Sequence, residues 1–460
     1  MPNNLGTEER PLRVAIVGSG PSAFYAAESL FKSDKKIVVN MFERLPVPFG
    51  LVRFGVAPDH PKIKNVTKVY EKTAEHPTFS FFGNVEIGKS ITIHQLRKYH
   101  DALIFANGAE TDRKLGIEGE DLKGCHTATE FVAWYNGHPD FQDRVFDLSS
   151  ETAVIIGQGN VALDVARILT KTIDELKNTD ITQNALKVLA TSKIKNVHVI
   201  GRRGPAQAAF TAVEIREFAE LADCHPVVEE KDLQLNYASQ QEIEDPRNAP
   251  KKKNYEIMQH FLELDPGNKQ KRIFMHFLKS PAAIYGDSSG RVNRIFLEKN
   301  RLIGEPGVQK AQGIGEKERI NCGIIFRSIG YRGVPIKGLP FSDQAGIIPN
   351  AHGRVSDSEV VFPGLYTVGW IKRGPSGIIG TNKPDSDETV QNLLEDIAII
   401  NPCKNPSNEQ FIEFLKEKNI RFVTFADWKK IDAIEIERGQ ALGKPREKIT
   451  SIEEMLACLK

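Results

Sequence analysis

Residues 13–27 read RVAIVGSGPSAFYAA, and the order of residue types within them decides the fold. Val14 to Val17 are apolar or small, as a fully buried strand requires. Gly18-Ser19-Gly20-Pro21-Ser22-Ala23 then fits G-x-G-x-x-G/A, and Phe24, Ala26, Ala27 and Leu30 follow at a helical apolar spacing. Strand, glycine turn and helix in that order form the context of a dinucleotide-binding turn. Gly18 permits the tight turn, Gly20 lets the backbone approach a pyrophosphate, and Ala23 keeps helix and strand close. The helix N-terminus, with Ser22 in its first turn, offers N–H groups to the phosphates. Taken alone, the same pattern is any tight strand–helix connection. Here a second strand, Ile37 to Phe42, ends on Glu43, an acidic residue at the distance that suits a ribose hydroxyl pair.

The pattern occurs twice. Thr152 to Ile156 is a strand, Gly157-Gln158-Gly159-Asn160-Val161-Ala162 is the turn, and Leu163, Val165, Ala166, Ile168 and Leu169 begin a helix. Two such units in one chain mean two nucleotide sites, the arrangement needed to pass electrons between dinucleotides. The strand after the second unit, Asn196 to Ile200, runs into Gly201-Arg202-Arg203-Gly204-Pro205. An NAD-selective site would place a carboxylate there. Arg202 and Arg203 read instead as a 2′-phosphate clamp, because guanidinium binds phosphate by charge and by paired donors. A solvated basic turn is the plainer alternative.

The 460 residues suffice for two or three domains. Hydrophobic content is 40%, charged content 26% and formal net charge +1, an ordinary globular balance with no nucleic-acid signature. No apolar run approaches a membrane span. The opening MPNNLGTEERP lacks an apolar signal core and carries acidic residues unlike a transit peptide, which gives a cytoplasmic expectation. The five cysteines are scattered and form no C-x-x-C. That argues against zinc and a redox dithiol and for reduced thiols; no metal is expected.

Between Arg44 and Pro61 the chain reads RLPVPFGLVRFGVAPDHP, too rich in glycine and proline for long regular structure. An apolar, ordered loop beside a nucleotide suits a flavin-ring cradle with Leu51 against the cofactor; a plain structural loop would read the same way. GSGPSAFYAA followed by LPVPFGLVRFGVAPDHP closely resembles the adrenodoxin reductase family, the ferredoxin–NADP reductases of glutathione-reductase-like fold. The resemblance continues through GRRGPAQAAFT, through PGLYTVGWIKRGPSGIIGT at 363–381, and through RGQALGKPREK at 438–448, so it spans nearly the entire chain.

The resemblance implies an α/β protein of two Rossmann-like domains, the NADP domain (112–327) inserted into an FAD domain made of 1–111 and 328–460. It implies FAD and NADP(H) as cofactors and an acidic iron–sulfur ferredoxin as partner. It places Ile87 at the adenine end of FAD through its backbone, Trp370 and Gly377-Ile378-Ile379 on the flavin, and Glu214 against NADP. Trp370 by itself would read as a core residue, and Glu214 as a solvated helix residue. Gly380 and Asn382-Lys383 depart from the family's Thr-rich continuation. His60, between Asp59 and Pro61, falls in the family's active-site region, so His60 and Glu214 are the candidate catalytic pair, assigned to orientation or protonation; a lone histidine is otherwise structural.

Glu229 to Lys253 is charged, broken at Pro246 and Pro250, and reads as a solvated run. By resemblance its Arg247, Lys251, Lys252 and Lys253, with Arg216, would receive the ferredoxin. The residues predict antiparallel strands over 271–277, 282–285, 292–297 and 320–326 and a helix over 62–75. The expected activity is hydride transfer from NADPH to FAD, then single electrons to ferredoxin. The alternatives are an electron-transferring flavin subunit of a larger reductase and a nucleotide-binding redox sensor without turnover.

Overall fold

The structure is a computed structural model that describes residues 4–358 and 360–460; the first three residues of the opening segment lie outside it. The strand Leu12–Val17 has all six residues buried, because it lies inside a seven-stranded sheet with a strand on either side. Parallel pairings flank it with Ile37–Phe42 and Ala102–Phe105, and beyond these lie Phe79–Phe82 and Val360–Thr367. The strand from the far end of the chain therefore completes the sheet begun by the first fingerprint. Asn350–Ala351 and Arg354–Asp357 extend that edge in antiparallel sense.

The second fingerprint strand, Thr152–Ile156, lies inside a separate six-stranded sheet built from residues 125–327. Every pairing in that sheet is parallel. Two expected antiparallel strands are thereby corrected: Lys271–His276 and Ile324–Arg327 are parallel members of this sheet. Both are short, Ile324–Arg327 largely buried and Lys271–His276 half-buried, and a short run carries no mark of strand direction. The antiparallel part is a three-stranded meander, Lys279–Gly286, Val292–Ile303 and Lys310–Asn321. Only the end of its last strand, 320–321, falls within an expected strand, because the exposed, charged face of the rest lacks an apolar alternation. The helix expected over 62–75 is two helices, Pro61–Lys64 and Thr67–Ala74.

The chain crosses between the two sheets at Thr111–Asp112 and returns at Tyr331–Arg332, and these crossings pair with each other as a two-stranded antiparallel ribbon. The C-terminal tail packs back on the first unit: Trp428, Ile431 and Met455 are buried in its core with Phe24 and Phe49. No helix among the described residues is long and apolar enough to cross a membrane.

Candidate functional site

Both fingerprint turns are built the same way. Gly18 has φ +104°, and a Cβ there would stand 2.4 Å from the Ala106 carbonyl oxygen. Gly157 has φ +126°, and its Cβ would stand 2.0 Å from the Ser328 carbonyl oxygen. These glycines are required by the fold itself. Gly20 and Gly159 differ: each is the N-cap of an 11-residue helix without a side-chain cap, and a Cβ there would meet nothing within 4 Å. Free helix N–H groups opening on empty space are what a pyrophosphate needs.

Around the first turn, Glu43 accepts hydrogen bonds from Ser19 Oγ (2.6 Å) and Leu45 N (3.2 Å), which fix its carboxylate at the end of Ile37–Phe42. Ser22 and Ala23 are buried. The glycine- and proline-rich loop folds over this turn: Phe49 N donates to the Ser19 carbonyl (3.0 Å). Gly50 approaches so closely that a Cβ would lie 3.2 Å from Gly20 Cα, and Leu51 remains exposed. Ile87 is buried beside a cleft of about 550 Å³ lined by Arg44, Asn84, Glu86, Lys89 and Glu110. Asn107 Oδ1, just past Ala102–Phe105, is buried without a hydrogen-bond partner, at the carboxyl end of the sheet where ligands bind in such folds.

The distant segment meets the same turn. Gly369 is at φ +74°, and a Cβ there would stand 2.5 Å from Ser22 Oγ. Trp370 Nε1 donates to the Ser376 carbonyl (3.1 Å), and its ring lies 5.3 Å from that of Tyr331 on the crossing ribbon. Gly377, at φ +79°, closes against Thr381. Ile378 is 60% exposed, whereas Ile379 packs on the core. Beyond it, Asn382 Nδ2 donates to the Ile379 carbonyl (3.0 Å) and Lys383 pairs with Glu28 at 3.7 Å.

In the second unit Gln158 Nε2 donates to the His276 carbonyl (2.8 Å), and Asn160 Oδ1 accepts from Thr211 N (2.8 Å); Val161 is half-buried. The Arg202–Arg203 backbone is held by Asn300 Nδ2 on the Arg202 carbonyl (2.9 Å) and Leu278 N on that of Arg203 (3.0 Å). Both guanidinium groups are exposed and form no ion pair among the described residues. A fixed backbone with uncommitted cationic heads suits a phosphate.

Between the two units lies a cluster that sequence reading only half found. His60 Nε2 is 2.9 Å from Glu217 and its Nδ1 3.7 Å from Glu214. Glu214 and Glu217 share the helix Ala212–Glu220 at a three-residue spacing that puts them on one face. Behind them Arg167, whose side chain is fully buried, reaches Asp59 (2.6 Å), Asp164 (2.5 Å), Glu214 (3.1 Å) and Glu217 (3.3 Å). Lys171 adds a second cation on Asp59 at 2.7 Å.

Burial and then the neighbouring Asp164 push the Glu214 carboxyl up to about 7. Burial also raises Asp59, but Arg167 and Lys171 outweigh it and hold this carboxyl well below the usual range. Burial lowers His60, yet its bond to Glu217 and the Glu214 charge raise it overall. Asp59, His60 and Glu217 gather within 4.8 Å, as do His60, Asp164 and Glu214. Arg167 already fills this anionic volume with its guanidinium, so the donor set is matched to a cation the chain supplies itself. Sequence reading missed Arg167, Asp164 and Glu217. Their one signal is a run of charges inside helices otherwise apolar on that face.

Residues 12–220 match the family described as pyridine nucleotide-disulphide oxidoreductase. The chain is 45% identical to NADPH-ferredoxin reductase FprA of Mycobacterium tuberculosis, over 97% of this chain and 99% of that one. It is 41% identical to the mitochondrial NADPH:adrenodoxin oxidoreductase of Homo sapiens, over 99% of this chain and 94% of that one. It belongs to the adrenodoxin reductase family. The solved structure of M. tuberculosis FprA in complex with NADPH superposes with a TM-score of 0.90 at 44% identity, covering 98% of this chain and 100% of that one. The five basic residues expected to receive a partner divide. Arg247 is paired with Asp245 (2.6 Å), Lys251 with the buried Glu242, and Lys253 with Glu256 (3.4 Å). Arg216 and Lys252 are exposed without an ion pair among the described residues.

Proposed function

We propose that this chain is an FAD-dependent NADPH:ferredoxin oxidoreductase. The observation that carries the reading is the pair of glycine-capped helices with open space at Gly20 and Gly159, joined across the two units by His60, Glu214 and Glu217. The residues present fit both dinucleotides. Bound flavin supplies the conversion of a two-electron hydride from NADPH into single electrons for an iron–sulfur partner.

The chain's own residues supply binding and alignment. Gly18, Gly20, Ser22, Ala23 and Glu43 would hold the FAD pyrophosphate and ribose, Ile87 the adenine end, and Leu51, Trp370, Gly377, Ile378 and Ile379 the ring. Gln158, Gly159, Asn160 and Val161 would hold the NADP pyrophosphate, with Arg202 and Arg203 on its 2′-phosphate. Glu214 is assigned to the nicotinamide end. With its carboxyl raised to about 7, it exchanges a proton near neutral pH, and His60, bonded to Glu217, orients the pair. The FAD domain comprises 1–111 and 328–460 and the NADP domain 112–327. An acidic ferredoxin docks on the basic face of the NADP domain, chiefly through Arg216 and Lys252, with Arg247, Lys251 and Lys253 around them. The five cysteines, free in the described structure, suit a reducing compartment such as the cytoplasm.

Anaerobic NADPH is expected to bleach the bound flavin, and cytochrome c reduction is expected to depend on added ferredoxin. A flavin that stays oxidised under NADPH would sink the reading in favour of a redox sensor.

A further inference from the structure

The C-terminal tail makes contacts that neither nucleotide site requires. After the helix Phe425–Ala441 the chain turns at Gly443 (φ +71°) and runs along the inserted unit. Lys444 Nζ donates to the Ile181 carbonyl and pairs with Glu447 at 2.6 Å. Glu447 Oε1 accepts from Gln183 N (2.9 Å), the first residue of the helix Gln183–Ala190. Lys448 pairs with Asp180 at 3.0 Å and donates to Asn136 Oδ1 (3.3 Å). On its other side Asp180 receives Lys64 Nζ at 2.6 Å. One carboxylate of the inserted unit is thus shared by lysines from opposite ends of the other unit. The tail is anchored behind by the fully buried Glu435, which accepts from Arg53 (2.5 Å) and Ile449 N (2.9 Å).

Lys448, Lys444 and Asp180 are each less than a tenth exposed. Burying ions costs about as much as their pairing returns, so such a junction is weak evidence for stability and better suited to fixing one geometry. An apolar contact would hold the two units together but let them slide; two lysines converging on one carboxylate hold a direction. Lys64 ends the helix Pro61–Lys64, and His60 is the N-cap of that helix. The junction therefore sits one helical turn from the residue that meets Glu214 and Glu217.

We propose that Asp180, held between Lys64 and Lys448, is a positioning residue that sets the angle of the inserted unit on the other and so the register of His60 against Glu214. This rests on the reading that the two fingerprints hold a flavin and a nicotinamide dinucleotide. The test uses the holoenzyme with Lys448→Met and, separately, Lys64→Met. Each leaves Asp180 paired with one lysine, whereas loss of Asp180 would leave both buried lysines without their shared carboxylate. Arg438→Gln is the control, since its ion pair with Glu454 lies within the tail.

Flavin content, melting temperature, NADP+ affinity by spectral titration and the anaerobic flavin-bleaching rate at saturating NADPH are measured. Both lysine variants are expected to keep flavin and to bind NADP+ within about twofold, while bleaching slows about tenfold or more, as for a small misplacement of reacting groups. Arg438→Gln is expected to match the parent. A purely stabilising role would lower the melting temperature and leave the rate per flavin unchanged, and that result overturns the proposal. Loss of flavin from both variants overturns it as well. Parent enzyme whose flavin NADPH fails to bleach would instead overturn the functional reading on which it rests.

Discussion

His60 and Glu214 show how one contact ties a residue's chemistry to its surroundings. Glu214 is raised to about 7 from an ordinary 4.5, so the folded state binds its proton more tightly than the unfolded chain. The associated stability is complete below pH 4.5 and is lost as pH rises through about 7. His60, also raised, acts in the same direction. Asp59 is lowered, so its contribution is present above the ordinary 3.8 and is lost in acid. Glu214→Gln is therefore expected to flatten the fall in melting temperature between pH 5 and 7.5; an unaltered pH profile would contradict the assignment. His60→Gln is expected to slow flavin bleaching by NADPH about tenfold while flavin content stays constant. Arg202→Ala with Arg203→Ala removes two charge-assisted donors from the 2′-phosphate. The pair should raise the Michaelis constant for NADPH by at least about tenfold and leave that for NADH nearly unchanged. Equal effects on both would defeat the clamp.

Among the elements, the glycine turns separate what folding needs from what binding needs. Gly157→Ala drives a Cβ into the Ser328 carbonyl at 2.0 Å from a positive φ and is expected to cost at least about 2 kcal/mol. Gly159→Val points into open space, so its melting temperature should stay near the parent's while NADP+ affinity falls about tenfold. Thermal melts and NADP+ titrations of the two variants check this opposition. Both turns are legible in sequence because strand, turn and helix are contiguous, and their spacing is itself the signal. Most of the strand at 310–321 was not legible, because an exposed edge strand is protected by charge rather than marked by apolar alternation. Likewise Lys271–His276 gave no sign of its parallel pairing, which is set by partners at 196–200 and 224–228.

For the whole molecule, net charge is only +1, so steering of an acidic partner must come from a local surface. Arg216→Glu and Lys252→Glu are expected to raise the ferredoxin Michaelis constant several-fold at low salt and to converge with the parent at high ionic strength, where surface charges are screened. A salt-independent effect would place docking elsewhere. Connections between the units lie at different depths in the sequence. The ribbon of 111–112 with 331–332 follows from where the second fingerprint is inserted. The ion cluster around Arg167 and the junction at Asp180 do not. The amino-acid sequence by itself determined two dinucleotide folds, their order and the arginine pair after the second, because each is encoded within a few tens of contiguous residues. Only the tertiary structure decided which charges meet: Asp59 with Arg167, and Lys64 and Lys448 on Asp180. Single ionic residues more than a hundred positions apart carry no periodicity, and their pairing exists only once burial has removed water as the competing partner.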